Sequence, residues 1–125
     1  MRVRCEQLRS ATTDEKLDES PWLTVGREYV VLALLARPVR GVSFRLLDDH
    51  GPGPSLWDSG LFTIVSGHVP SSWTARLSEG GSLALAPAAW HDDGFWDRVF
   101  DGEPEALASF ESAKESLLAE EATNS

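Results

Sequence analysis

The chain has 125 residues, 42% hydrophobic and 25% charged, with a formal net charge of −9 at pH 7. A chain this long buries roughly two thirds of its unfolded surface, enough for one domain with its own core. The acid excess argues against direct nucleic-acid binding, which needs a basic face, and the single cysteine, Cys5, excludes an intramolecular disulfide and a thiolate zinc site.

In residues 2–8, Val3, Cys5 and Gln7 alternate with Arg2, Arg4 and Glu6, the period of a half-buried strand. Cys5 then reads as a small buried hydrophobe, not a reactive thiol. Residues 1–16 hold no apolar leader segment, and no apolar run approaches about 18 residues, so a soluble cytoplasmic protein is expected. Residues 9–21 are polar and read as an ordered loop or a short helical turn; Pro21 closes it, and Trp22 and Leu23 open the core. Gly26 marks a bulge or tight turn. Residues 29–36 are apolar on both faces, and their length and the bounding Gly26 and Pro38 favour a central strand over a helix.

Val42, Phe44 and Leu46 alternate with Ser43, Arg45 and Leu47, predicting a second strand with one wet face. The stretch "HGPGPS" predicts a loop without regular structure. A short strand at Leu56 and Trp57, a turn at Asp58, Ser59 and Gly60, and a strand over residues 61–65 come next. Residues 73–85 predict a hairpin with Trp73, Ala75 and Leu77 on one face, a turn at Glu79, Gly80 and Gly81, then Leu83 and Leu85.

Beyond Pro87 the period changes. Phe95, Trp96, Val99 and Phe100 form one helical stripe, and a longer helix is expected over residues 103–120, with Pro104 in its first turn. Ala106, Leu107, Phe110, Ala113, Leu117 and Leu118 fall on its apolar side, and Asp101, Glu103 and Glu105 sit near the positive end of its dipole. The expected fold is α+β: a small, strongly bent antiparallel sheet, an SH3-like partial barrel, with a short helix and a longer C-terminal helix over its open side. The division is an N-terminal strand at 2–8, a polar loop at 9–21, a β core at 22–86 and a helical part at 94–121.

From His91 onwards there are ten acids against two bases, a net −8, so the residues before it sum to −1. The stretch "WHDDGFWDRVFDGEPEA" gathers acids and a histidine around four aromatics. It lacks the ligand spacing of a calcium loop, since Gly94 comes too early. No HxxxH or HExxH accompanies His91, and His50 and His68 lie in distant turn-rich segments. Paired carboxylates could serve a hydrolase only across a cleft that isolates one acid. No GxSxG elbow is present, and "GPGP" lacks the free N–H groups of a phosphate cradle. Neither a metal nor a cofactor is expected. The residues most suited to contact a partner are Trp90 and Trp96, one of them partly exposed as an anchor, ringed by Asp92, Asp93, Asp97 and Asp101.

The segments "LTVGREYVVLAL", "LLDDHG", "LFTIVSGHVPSSW" and "PAAWHDDGFWDRVFDGEPEALASF" together resemble a family of small, mostly uncharacterised bacterial proteins. Their pattern is a VGKxYxVY strand, a DDxG turn, an LFxVxxGxxPxxW segment and a closing FWERLxDGDPEAxxxF. The resemblance spans residues 22–110; Arg27 stands where lysine is common and Glu103 where aspartate is common. It implies an SH3-like bent sheet with an attached helix. Some members resemble immunity proteins of bacterial polymorphic toxin systems, and no site residue comes with that likeness.

The leading expectation is a non-catalytic protein-binding domain, an immunity protein whose acidic surface meets a basic toxin domain, with no membrane or direct nucleic-acid partner. A housekeeping peptide-binding module with Trp57 exposed near "HGPGPSLWDSG" is the alternative. A small hydrolase using the acidic cluster is the third.

Overall fold

The computed structural model describes residues 1–9, 15–17, 20–50 and 54–123. The strands are β1 (Arg2–Cys5), β2 (Leu8–Arg9), β3 (Lys16–Leu17), β4 (Glu28–Arg37), β5 (Gly41–Leu47), β6 (Pro54–Asp58), β7 (Phe62–Ser66), β8 (Trp73–Leu77) and β9 (Leu83–Pro87). Two helices complete the chain, α1 (Phe95–Phe100) and α2 (Pro104–Thr123). The protein is thus α+β: a seven-stranded antiparallel sheet, a separate two-stranded ladder of β2 with β3, and a long C-terminal helix. The sheet runs β6-β5-β4-β1-β7, with β9 and then β8 branching from β4, and it does not close into a barrel.

β4 organises everything else. Its apolar residues on both faces need cover on both sides, and Tyr29, Val31, Leu32 and Ala33 are buried. Its start pairs with β1 (Arg4↔Glu28), while its later residues pair with β5 (Leu34↔Phe44) and β9 (Leu34↔Leu85). A register shift between Val31 and Ala33 lets one strand serve both wings. β6 passes through a 3-10 turn at Ser59–Leu61, capped by the Asp58 carboxylate, directly into β7. One run of chain therefore leaves β5 and joins β1.

The turn after β5 ties "VGREY" to "DDHG" through one carboxylate. The Tyr29 hydroxyl donates to Asp49 Oδ1 at 2.9 Å and accepts from the Thr24 N–H at 2.9 Å. Thr24 Oγ1 donates to Asp49 Oδ2 at 2.7 Å, and Arg27 pairs with Oδ1 at 2.9 Å. Gly26, at φ +88°, makes the tight turn that brings Arg27 beside this carboxylate, and its N–H donates to the Cys5 carbonyl.

Several elements differ from the sequence-based expectation. The strand expected over 2–8 stops at Cys5, because the Glu6 and Gln7 N–H groups both turn to the Leu61 carbonyl. The polar stretch 9–21 contains strand residues of the β2–β3 ladder; residues 10–14 and 18–19 of it lie outside the described part. In "HGPGPS", residues 51–53 lie outside too, but Pro54 and Ser55 begin β6; a proline fits there because β6 is an edge strand. Trp22 is more exposed than a core opener, lying edge-on to His50, whereas Leu23 is buried. In the hairpin only Trp73 is buried; Ala75 and Leu77 are exposed, because β8 is an edge that only its first residues bring under cover.

α1 and α2 join at Gly102, φ +80°, whose N–H donates to the Val99 carbonyl while the Glu103 N–H donates to that of Arg98. This is a Schellman stop, and Glu103 then accepts the first bond of α2 from Leu107. α2 buries Ala106, Phe110, Leu117 and Glu121, with Ala113 half-buried between them. Leu107 and Leu118, expected on that face, are exposed. The inward stripe takes steps of four, three, four and four, which leaves both leucines one position to the side. Cys5 is buried, and desolvation pushes its thiol above the ordinary range.

Candidate functional site

The face of β5 expected to be wet is covered. Ser43 is buried, its hydroxyl accepting from Arg37, and Arg45 is half-buried because the 3-10 turn Ala88–His91 and α1 fold back over it. The cover is aromatic. Trp90, only 3% exposed, stacks on Phe110 at 5.4 Å and on Phe95 at 6.4 Å, and meets Trp96 edge-on at 5.3 Å. Of the two tryptophans expected as anchors, Trp90 is therefore a core residue and Trp96 is half-buried. Phe100, expected in the inward stripe, is 59% exposed, because a six-residue helix buries only its Phe95 and Val99 edge.

Asp92, Asp93, Asp97 and Asp101 are all exposed. Asp93 lies 3.3 Å from Arg76, which also bonds the His91 carbonyl. Among the described residues, Asp92, Asp97 and Asp101 form no ion pair. On α1, Asp97 and Asp101 are one turn apart, and Phe100 lies between them and Trp96 around the helix. The structure thus brings two acids, Asp97 and Asp101, and the Phe100 ring to one exposed patch. Among the described residues no three His, Cys, Asp or Glu side chains converge as metal ligands.

Under this cover lies a cavity of about 210 Å³ whose walls include Ala33, Arg45, Leu56, Ala84, Trp90 and Trp96. None of its lining residues is acidic. Ala33 and Ala84, on the sheet side of the lining, give it a floor of small side chains. Arg45, paired across the sheet with Ala33 and Leu56, lays its guanidinium 4.0 Å from the Trp96 ring centre. Among the described residues no carboxylate pairs with it, and burial pulls its pKa down to about 10. Stacking on an indole is worth about 0.5–2 kcal/mol, which offsets only part of the several kcal/mol that full desolvation of an ion costs. Trp90 Nε1 is also buried with no acceptor. Sequence reasoning missed Arg45, because strict alternation placed it on a solvated face; the surplus of tryptophans after Pro87 was the signal that this face would be roofed.

Two other polar clusters are structural in form. His68 Nε2 lies 2.6 Å from Glu120 Oε2, and Ser71 donates to Glu120 through both its N–H and its hydroxyl, at 2.8 and 2.6 Å. The serine hydroxyl bonds the carboxylate and not the imidazole, so the three do not form a nucleophile relay. These bonds pull the Glu120 carboxyl down to about 2, the Ser71 hydroxyl foremost and His68 next. Because the folded pKa lies below the ordinary 4.5, the contribution is full above that value and is lost as pH falls through about 2. Glu120→Gln is expected to flatten acid unfolding in that window; circular dichroism against pH checks this. In the second cluster Trp57, the exposed residue of the peptide-binding alternative, is half-buried, and its indole N–H donates to Ser55 Oγ at 2.6 Å.

No helix among the described residues is long and apolar enough to cross a membrane. Comparison of the chain with protein-family models, curated proteins and solved structures finds no match.

Proposed function

We propose that the chain is a non-catalytic protein-binding domain that neutralises a bacterial toxin domain, as an immunity protein does, and that it works in the cytoplasm. The observation that supports this reading is the patch on α1: Asp97 and Asp101, exposed and without an ion pair among the described residues, beside an outward Phe100, within a stretch carrying a net −8. An exposed aromatic ringed by acids suits a basic protein surface, the ring filling a pocket and the charges steering the approach. Asp92 and Asp93 extend the field, and Trp96 backs the Phe100 ring at 6.0 Å. In this reading the open, bent sheet is the SH3-like scaffold that holds the patch rigid. A toxin acting on nucleic acid has the required basic site, and covering it would block substrate.

The test is co-expression with the toxin domain encoded beside this gene. Growth is rescued by the native chain. Asp97→Lys with Asp101→Lys slows association at low salt by about tenfold or more, while the chain stays folded and loses only the small helix-dipole contribution of two exposed acids. An association rate indifferent to both salt and these substitutions sinks the proposal, as does the lack of any toxin reading frame next to the gene.

A further inference from the structure

The Arg45 cavity has a chemistry that the acidic patch does not use, and of the patch residues its lining includes Trp96 alone. The chain is strongly acidic, yet the cavity's lining holds one arginine and no acid. Its guanidinium is half-buried with one face on Trp96, leaving its edge N–H groups without a carboxylate among the described residues. The other polar side chain of the lining, His91, already has a protein partner, its Nε2 lying 3.0 Å from the Thr74 carbonyl. A guanidinium with no carboxylate partner, in a largely apolar lining, is the pattern of a small-ligand site: an apolar body contact with a few orienting polar groups.

We propose that this cavity binds a small organic carboxylate, its anionic group on Arg45 and its apolar body against Ala33, Ala84 and Leu56. A planar guanidinium matches a carboxylate through two parallel hydrogen bonds. Inorganic phosphate fits less well, because its extra charge and oxygens need more donors than one guanidinium supplies. At about 210 Å³ the space is smaller than the roughly 300–1,000 Å³ of pockets for drug-sized molecules, so the ligand is short: a benzoate or a medium-chain fatty acid end. Burial lowers the guanidinium's pKa only to about 10, so it stays charged at neutral pH, and an anion beside it would raise that value again.

The experiment is an NMR titration of the full chain, following its five indole N–H signals. Benzoate and hexanoate are added in parallel with benzamide, hexanol and inorganic phosphate. The two carboxylates are expected to shift the Trp90 and Trp96 signals saturably in the millimolar range or tighter. The neutral analogues and phosphate bind at least about tenfold more weakly, since a charge-assisted hydrogen bond carries that much discrimination. Arg45→Met removes the charge while keeping a long side chain, and abolishes the preference for carboxylate over amide. Ala84→Leu fills the floor while keeping Arg45, and blocks benzoate; this second variant decides the matter if the first does not fold. Equal titration by benzoate and benzamide, no saturable shift with either carboxylate, or benzoate binding unchanged in Ala84→Leu overturns the proposal.

Discussion

Phe110→Ala is expected to destabilise the protein by about 3–5 kcal/mol, the usual cost of hollowing out a buried aromatic position. Phe110 is 2% exposed, and its ring is the common contact of Trp90, at 5.4 Å, and Trp96, at 5.9 Å. It is the point at which α2 holds the aromatic roof to the sheet. Removing it leaves a void that the flat rings of the neighbours cannot fill without changing their stacking. Since small domains are stable by only about 5–15 kcal/mol, the loss is a large share of the whole. Urea unfolding followed by tryptophan fluorescence measures it, and the near-ultraviolet circular dichroism of the folded variant should weaken as the indoles lose their fixed neighbours. Leu107→Ala, on the outer side of the same helix, is the control and should stay within about 0.5 kcal/mol. Equal losses at the two positions would mean that α2 docks by another face.

Glu121→Gln is expected to cost about 3 kcal/mol, toward the lower end of what breaking one side of a buried ion pair costs. Glu121 occupies the last step of the inward stripe of α2 and is 3% exposed. Its Oε1 accepts from the Met1 ammonium at 2.6 Å and more distantly from Ser66 Oγ at 3.4 Å. The amide keeps the shape and can still accept, but it leaves the ammonium uncompensated. The same pair makes stability depend on pH. Desolvation pushes the Glu121 carboxyl up, but the Met1 ammonium, the Ser66 hydroxyl and the Arg2 charge outweigh it, and the net shift is downward from 4.5. A lowered folded pKa gives stability that is complete above the unfolded value and is lost as pH falls through the folded one. The native chain should therefore lose stability on acidification below about pH 4.5 more steeply than Glu121→Gln does. Urea midpoints measured across that range test it; parallel pH curves for the two chains would remove the pair from the account of stability.

Local pattern was enough for the elements whose neighbours are local. The strand over Val31 and Leu32, the hairpin turned at Gly80 and Gly81, and the two helices joined at Gly102 were all legible, because hydrophobic period and turn chemistry act over a few residues. What alternation could not show was which faces another element would cover. Arg45 reads as wet because its own strand says so, and it is covered because Trp90 and Trp96, some fifty residues later, lie across it. Likewise Glu121 reads as one more solvated acid until Met1 is placed beside it. The acids at Asp92, Asp97 and Asp101 were legible as a surface, and Trp90 was misplaced on it for the same reason that Arg45 was: burial is decided by distant chain. Leu107 and Leu118 failed in a smaller way, through a stripe drawn one residue too wide.

The run that carries β6 through Ser59–Leu61 into β7 has a consequence for how the molecule comes apart. Its first half is bonded to one wing of the sheet and its second half to the other, with β4 likewise belonging to both. Detaching either wing drags on the same two threads. The β5–β6 and β1–β7 wings are yoked, so neither can peel away while the other stays whole, and their amide protons should become accessible to solvent in a single shared event, whereas the β8–β9 hairpin, held by β4 alone, can open separately.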